Sequence, residues 1–299
     1  MDIFDFINKT VELGLDGVQI NIIEDLNLDP KWGTLGSNDP RHLKKVRDLL
    51  QKHNLFCEID TSGIDAERLG EVIETASLLG ADVIRTYINK GVYDERKTSN
   101  AHKEISKVLP LLKKHRIHLA IENHEEETAD EIISVIKSVD SEWVGALCDI
   151  GNGMMAWEDP IDTVTKLAPY AVSTHFKDHI VIHDGDDYRV SGCPIGEGNI
   201  DIDECFKILT EKSSLNRINI EMCHPYVSIF KRSEGTSGVN EVGKGAFKVE
   251  SPYFDKDRIA PLKSYYPSDE LLEEMLIEQE NGVKESVRIV KKLREKYCN

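Results

Sequence analysis

The 299-residue chain has no C-x-x-C pair among its six cysteines, Cys57, Cys148, Cys193, Cys205, Cys223 and Cys298. Without that spacing a zinc ribbon and a redox pair lose their basis, and no disulfide framework is indicated. No run reaches the roughly 18 apolar residues of a membrane span, and no basic stretch at the N-terminus leads into an apolar one as in a signal peptide. Positive charge is scarce: 37 Lys and Arg stand against 54 Asp and Glu, a formal net charge of −17, with no basic stripe to offset it. Such a field repels phosphate backbones and acidic membrane surfaces, so neither nucleic acid nor membrane is an expected partner. The expected compartment is the cytoplasm. Low-complexity tracts are also missing, and with 40% hydrophobic and 30% charged residues the chain can bury a sizeable core.

What is present is a rhythm. Short β-rich apolar runs, "GVQINII" (17–23), "FCEID" (56–60), "DVIRTYI" (82–88), "IHLAIEN" (117–123), "VGALCDI" (144–150), "AVSTHFKD" (171–178) and "RINIEM" (217–222), alternate with amphipathic stretches. Helices are expected at about 3–13, 40–53, 65–79, 98–115, 128–139, 160–168 and 201–213, several opened by capping residues Asp39, Asp65, Thr128 and Asp159. This alternation marks βα units and a parallel sheet, an α/β fold. The length suits one (β/α)8 TIM barrel over residues 1–299, but the chain opens on a helix and shows seven strands. A barrel lacking its first N-terminal strand is therefore the expectation, with an open seven-stranded sheet as the alternative. Residues 223–268 have no clear period and read as a lid-like segment carrying Lys231, Arg232, Lys244 and Lys248, and 269–296 reads as a closing helix.

The strand ends are unusually polar. Successive runs finish at or near Glu122, Asp149, His175 and Glu221, and in parallel barrels those ends share one face. Three carboxylates and one imidazole from four neighbouring strands make an oxygen-rich cage suited to a divalent metal, with Mn²⁺ preferred and Mg²⁺, Co²⁺ or Zn²⁺ as alternatives. Gly151 and Gly153, just after Asp149, are expected to let the chain turn tightly there.

The set "IENH", "CDIGN", "THFKDH", "PIGEGNID" and "NIEM", in this order across roughly 5–222, resembles the xylose isomerase-like TIM-barrel superfamily. Within it the chain is similar to the sugar isomerase and epimerase branch that includes the tagatose and psicose 3-epimerases. The resemblance implies that Glu122, Asp149, His175 and Glu221 bind the metal and that Glu122 and Glu221 exchange a proton from opposite faces of a sugar. Members of that superfamily often form homo-oligomers.

Two departures bear on the reaction. The epimerase pattern places a substrate-contacting histidine three residues after the aspartate, where this chain has Asn152, and it has an arginine soon after the histidine, where the nearest here is Arg189. The "ENH", "DIGN" and "HFKD" combination, with His124, Lys177 and His179, is also similar to decarboxylases of oxo-sugar acids and to C-glycoside deglycosidases. His124 is then either a general base or the orienter of a metal ligand, and Lys177 is a candidate to hold a carboxylate or enolate oxygen. Arg85 and Glu58, near earlier strand ends, either line the substrate pocket or form buried ion pairs. "IGEGNID" (195–201) lacks the third glycine of a dinucleotide fingerprint and is expected to shape the rim of the site. Repair of DNA in the manner of endonuclease IV would need more histidines and less negative charge, and a non-catalytic sugar-binding module would leave three carboxylates unneutralised. Mass spectrometry of the native protein is expected to place its N-terminus upstream of Met1.

Overall fold

The computed structural model describes residues 1–23, 31–258 and 271–298. Residues 259–268 of the expected lid and 269–270 of the expected closing helix lie outside the described residues. The chain divides into two compact units, one of residues 1–90, 94–122 and 131–147 and the other of 91–93, 123–130 and 148–299.

In the first unit helices α1 (Ile3–Glu12), α2 (Pro40–Lys52), α3 (Ala66–Leu79) and α4 (Glu95–His115) alternate with strands β1 (Gly17–Asn21), β2 (Phe56–Asp60), β3 (Val83–Thr86) and β4 (His118–Glu122). Helix α5 (Ala129–Val139) and strand β5 (Val144–Asp149) follow. Local chemistry sets the helix starts. The Asp39 carboxylate accepts from the N–H of Arg41 and His42 with Pro40 in the first helical position, and Asp65 accepts from Arg68. Asp94 caps α4 through Arg96 and Lys97, so this helix begins at Glu95, earlier than the residue 98 read from periodicity. All four residues of β3 and all six of β5 are buried, as expected of parallel strands covered on both faces.

The second unit holds α6 (Pro160–Leu167), β6 (Ala171–Phe176), β7 (Asp178–Asp184), β8 (Asp187–Cys193), α7 (Ile202–Lys212), β9 (Asn219–Ile220), β10 (Val227–Ile229) and α8 (Leu272–Tyr297). Strands β1, β2, β3, β4, β5, β6 and β9 make one sheet in that order. Seven strands with helical crossovers form the (β/α)8 TIM-barrel pattern without its first strand, as the sequence rhythm indicates. The strand read over 171–178 ends at Phe176, and the following stretch is a hairpin. Strands β7 and β8 pair antiparallel with Asp184 opposite Asp187, and Gly185 takes φ 65 in the two-residue turn. β10 adds to β8, so the beginning of the 223–268 segment is tied into a small sheet. Strand β9 is only two residues long, which leaves Glu221 immediately beyond it. Among the described residues no helix is long and apolar enough to cross a membrane.

The "PIGEGNID" loop has a structural anion of its own. The buried Asp178 carboxylate accepts from the N–H of Gly196 (3.0 Å), Gly198 (2.9 Å), Ile200 (3.2 Å) and His179 (2.9 Å). This ring of amides resembles a phosphate-binding loop in chemistry, but it wraps a side chain of the protein. A Cβ on Gly198 would overlap Asp178 Oδ1. Gly198→Ala is therefore expected to destabilise the protein by about 1–3 kcal/mol through overpacking, read from the shift in urea midpoint.

Candidate metal centre

Strand β5 carries a buried apolar run to a charge, Asp149, and two neighbours explain how the backbone tolerates it. Asn123 Nδ2 donates to the Asp149 carbonyl oxygen, and the Asp149 N–H donates to Asn123 Oδ1, each at 3.0 Å. The carboxylate itself is divided between two tasks. Oδ1 accepts from the N–H of Gly151 at 2.8 Å and of Asn152 at 2.7 Å, an Asx turn that leads into a short 3₁₀ helix, Asn152–Ala156. Oδ2 faces the cations: Lys177 Nζ lies 2.7 Å away and His175 Nδ1 3.6 Å.

His175, near the end of β6, also approaches Glu221 Oε2 at 3.0 Å, and Lys177 Nζ lies 2.5 Å from that same oxygen. Lys177 donates to Asn152 Oδ1 at 3.2 Å. Burial acts to raise the Glu221 carboxyl, but the charges of His175 and Lys177 outweigh it and hold the group well below the usual carboxylate range. The chain turns tightly here, as expected of Gly151 and Gly153, although Gly151 at φ −115 and ψ −29 has a conformation open to any residue. Space is what demands glycine here: a Cβ would sit 2.8 Å from His179 Nδ1 and 3.0 Å from Lys177 Cγ.

Glu122 ends β4 and is fully buried. Its carboxylate is ion-paired to Arg85, which is paired in turn to Asp60, and Asp60 accepts from Asn21 Nδ2 at 3.2 Å. Strand register lines these residues up, with Asn21 opposite Asp60 and Asp60 opposite Arg85. Gln19 bonds Glu58 at 3.1 Å one step back along the same pair of strands. Arg85 is thus half of buried ion pairs, one of the two alternatives that the sequence left open, while Glu58 is hydrogen-bonded to Gln19.

One donor atom each from Glu122, Asp149, His175 and Glu221 lies within 4.8 Å of the others, the only such group of three or more among the described residues. Three oxygens and one nitrogen at this spacing fit a divalent cation, whose charge would offset the repulsion among the carboxylates.

The remaining candidates make contacts of their own. His179 is fully buried with Nδ1 3.3 Å from the Gly151 carbonyl oxygen, and burial reinforced by the Lys177 charge pushes it down to about 3, so it is neutral at physiological pH. The His124 side chain is 27% exposed, with Nδ1 3.8 Å from Glu126 Oε2. Glu125, at φ 56, accepts from Tyr226 and from Ser228 (3.1 Å) and pairs with Lys231 at 3.2 Å. Arg232 donates to the Glu126 carbonyl oxygen at 2.8 Å and stacks 3.5 Å over Tyr93. Lys231 and Arg232 therefore hold the 223–258 segment to the turn after β4. Lys244 and Lys248 form exposed pairs with Glu241 and Glu250, and Arg189 pairs with Asp184 inside the hairpin. Asn123, Asp60, Glu125 and Tyr226 escape a reading by motif, because their partners are distant in sequence.

The xylose isomerase-like TIM barrel family model matches residues 7–238. Two curated proteins align at 26% identity. One is the uncharacterised protein YihM of Escherichia coli K12, over 196 residues, 66% of this chain and 59% of that protein. The other is 3-oxo-isoapionate decarboxylase of Pectobacterium atrosepticum, over 182 residues, 60% of this chain and 66% of the enzyme. The chain thus spans somewhat under two thirds of the length of each curated relative. Among solved structures, the IOLI protein with a binding zinc atom superposes with a TM-score of 0.65 at 13% identity, covering 99% of this chain and 94% of that one. L-ribulose 3-epimerase gives 0.63 at 12% identity, covering 99% and 89%. At such identities these likenesses are ones of fold.

The depressed His179 gives a signed expectation. Between its folded value of about 3 and its ordinary value of 6.5, the unfolded chain binds more protons than the folded one. Stability from neutral His179 is thus full above pH 6.5 and is lost as pH falls toward 3, with a limiting slope of about 1.4 kcal/mol per pH unit. Glu221 adds its own loss only below the ordinary carboxylate value of 4.5. Asp178, pushed up to about 6 by burial, has the opposite slope below pH 6, so the His179 contribution is read as a difference in urea unfolding: wild type should lose stability relative to His179→Gln as pH falls from 6.5 to 4.5.

Proposed function

The chain belongs to the xylose isomerase-like TIM barrel family, and from that premise we propose that it is a divalent-metal-dependent isomerase or epimerase of a small sugar. The observation that carries this reading is the convergence of the Glu122, Asp149, His175 and Glu221 donor atoms within 4.8 Å. Mn²⁺ is the ion we assign to this donor set, with Mg²⁺, Co²⁺ and Zn²⁺ as alternatives. A bound divalent cation would polarise a sugar carbonyl and stabilise negative charge on its oxygen, making the neighbouring C–H acidic.

The chain's own residues then move the proton. Glu221, a carboxylate already in the cation-rich pocket before metal binds and with its side chain 39% exposed, is suited to accept a proton from the substrate carbon. Glu122 is assigned the complementary transfer, and its pairing with Arg85 keeps it a carboxylate before substrate arrives. Lys177 and Asn152 supply hydrogen bonds to substrate oxygens. Arg85 acts through Glu122, and His179 through the Gly151 carbonyl. His124, partly exposed beside Glu126, is assigned general acid or base chemistry. Residues 1–299 act as one barrel domain in this proposal, with the described part of the expected lid, 223–258, serving the substrate side.

A second reading is a metal-dependent lyase acting on an oxo-sugar or its acid. Lys177 among the cluster oxygens favours it, as does Asn152 at the position where the epimerase pattern has histidine. The decarboxylase relative supports the same reading. In decarboxylation the bond to the carboxylate carbon would break, its electron pair would pass to the adjacent carbonyl as an enolate, CO₂ would leave, and His124 would return a proton to carbon.

Elemental analysis after Mn²⁺ addition is expected to find a stoichiometric divalent ion, and its absence would remove both readings. In D₂O, deuterium entering a carbon next to a carbonyl with no other mass change indicates isomerisation, while release of CO₂ or an aglycone indicates the lyase. Glu221→Gln is expected to lower turnover by about 10²–10⁴-fold, and full retained activity would contradict its role.

A further inference from the structure

Lys177 directly follows β6, is 3% exposed, and places its ammonium 2.7 Å from Asp149 Oδ2 and 2.5 Å from Glu221 Oε2. Both residues belong to the cluster assigned to the metal. Asp149 has no second free oxygen to offer, because Oδ1 is engaged by the N–H groups of Gly151 and Asn152. A divalent cation draws carboxylate oxygens to roughly 2.0–2.2 Å, and it would use the same lone pairs that Lys177 now contacts. Two cations crowded onto those atoms would repel each other strongly in a buried setting. Lysine is suited to giving way, since its charge sits at the end of a flexible four-carbon stem. The missing Cβ at Gly151 leaves room beside that stem, as a side chain there would crowd Lys177 Cγ at 3.0 Å.

We infer that Lys177 is an exchangeable internal cation, which competes with the divalent metal for Asp149 Oδ2 and Glu221 Oε2 and, when displaced, turns to an anionic group of the substrate. The inference rests on the metal-dependent reading above and narrows its substrate to a sugar derivative bearing a carboxylate. Asn152 Oδ1 at 3.2 Å and the Cys223 side chain are uncharged partners of the ammonium, so they cannot balance the displaced charge. Metal loading and binding of the substrate anion thereby reinforce each other by linkage.

Calorimetric titration of the full chain with Mn²⁺ tests this in three forms: the wild type, Lys177→Met, which keeps the stem without the charge, and Lys177→Arg. Lys177→Met is expected to bind Mn²⁺ about tenfold more tightly than wild type, within the usual range of coupling between sites, and Lys177→Arg no more tightly. Equal or weaker binding by Lys177→Met overturns this inference alone, whereas no binding by any of the three overturns the metal-dependent reading with it. If Lys177→Met fails to fold, Mg²⁺ titration of ¹³Cε-lysine-labelled wild type replaces it, with the Lys177 signal assigned by its loss in Lys177→Arg. That signal should move in step with Mg²⁺ binding, and a stationary signal during saturable binding overturns the inference. For the anion, Mg²⁺-loaded wild type should bind gluconate about tenfold more tightly than fructose and lose that preference in Lys177→Met. An unchanged preference overturns the substrate assignment.

Discussion

Burial of carboxylates among apolar strands is the constraint on which this architecture turns. Glu122 and Asp149 are fully buried at the ends of β4 and β5, where an isolated negative charge would be very costly. Each is met by a cation from its own part of the chain: Arg85 at Glu122, and Lys177 with His175 at Asp149. Glu221 joins the second group from just beyond β9. The balance leaves three carboxylates close together with an imidazole, and this is what makes the cluster a credible seat for a divalent ion.

Much of the surrounding backbone holds those charges in place. Asn123 clamps Asp149 from both sides of its peptide, and the Asx turn engages one carboxylate oxygen so that the other faces the cations. Asp178, one residue past Lys177, gathers four amides and anchors the "PIGEGNID" loop. The hairpin β7–β8 starts from the same place and takes up β10 at its edge. Lys177 therefore stands between the end of β6 and the amide-bound Asp178, with its ammonium paired to Asp149 and Glu221.

This arrangement also frames the choice between isomerase and lyase. Both chemistries begin with negative charge developing on a carbonyl oxygen, so the ligand set alone does not separate them. Lys177 and Asn152 do bear on it, because a second cation beside a metal centre is most useful when the substrate carries an anion of its own. Fold likeness is shared by epimerases and a zinc-bound protein at 12–13% identity, so the discriminating information lies in these few side chains.

The βα rhythm, most helix starts and the polar strand ends were legible in the sequence because each depends on residues near one another in the chain: apolar periodicity, an aspartate before a helix, a charge closing an apolar run. The four converging residues could be named since parallel strands bring their ends to one face. The hairpin at 178–193 depends on the pairing of β7 with β8 around Gly185 and Asp186, which the reading of βα units does not anticipate. Only the tertiary structure decided which oxygen of Asp149 faces the cations, that Arg85 links Asp60 to Glu122, and that Lys177 shares the cluster oxygens. It alone brought Tyr226 to Glu125 across 101 positions. Such pairings depend on strand register and on side-chain directions at strand ends, which long-range packing sets and local residue patterns do not encode.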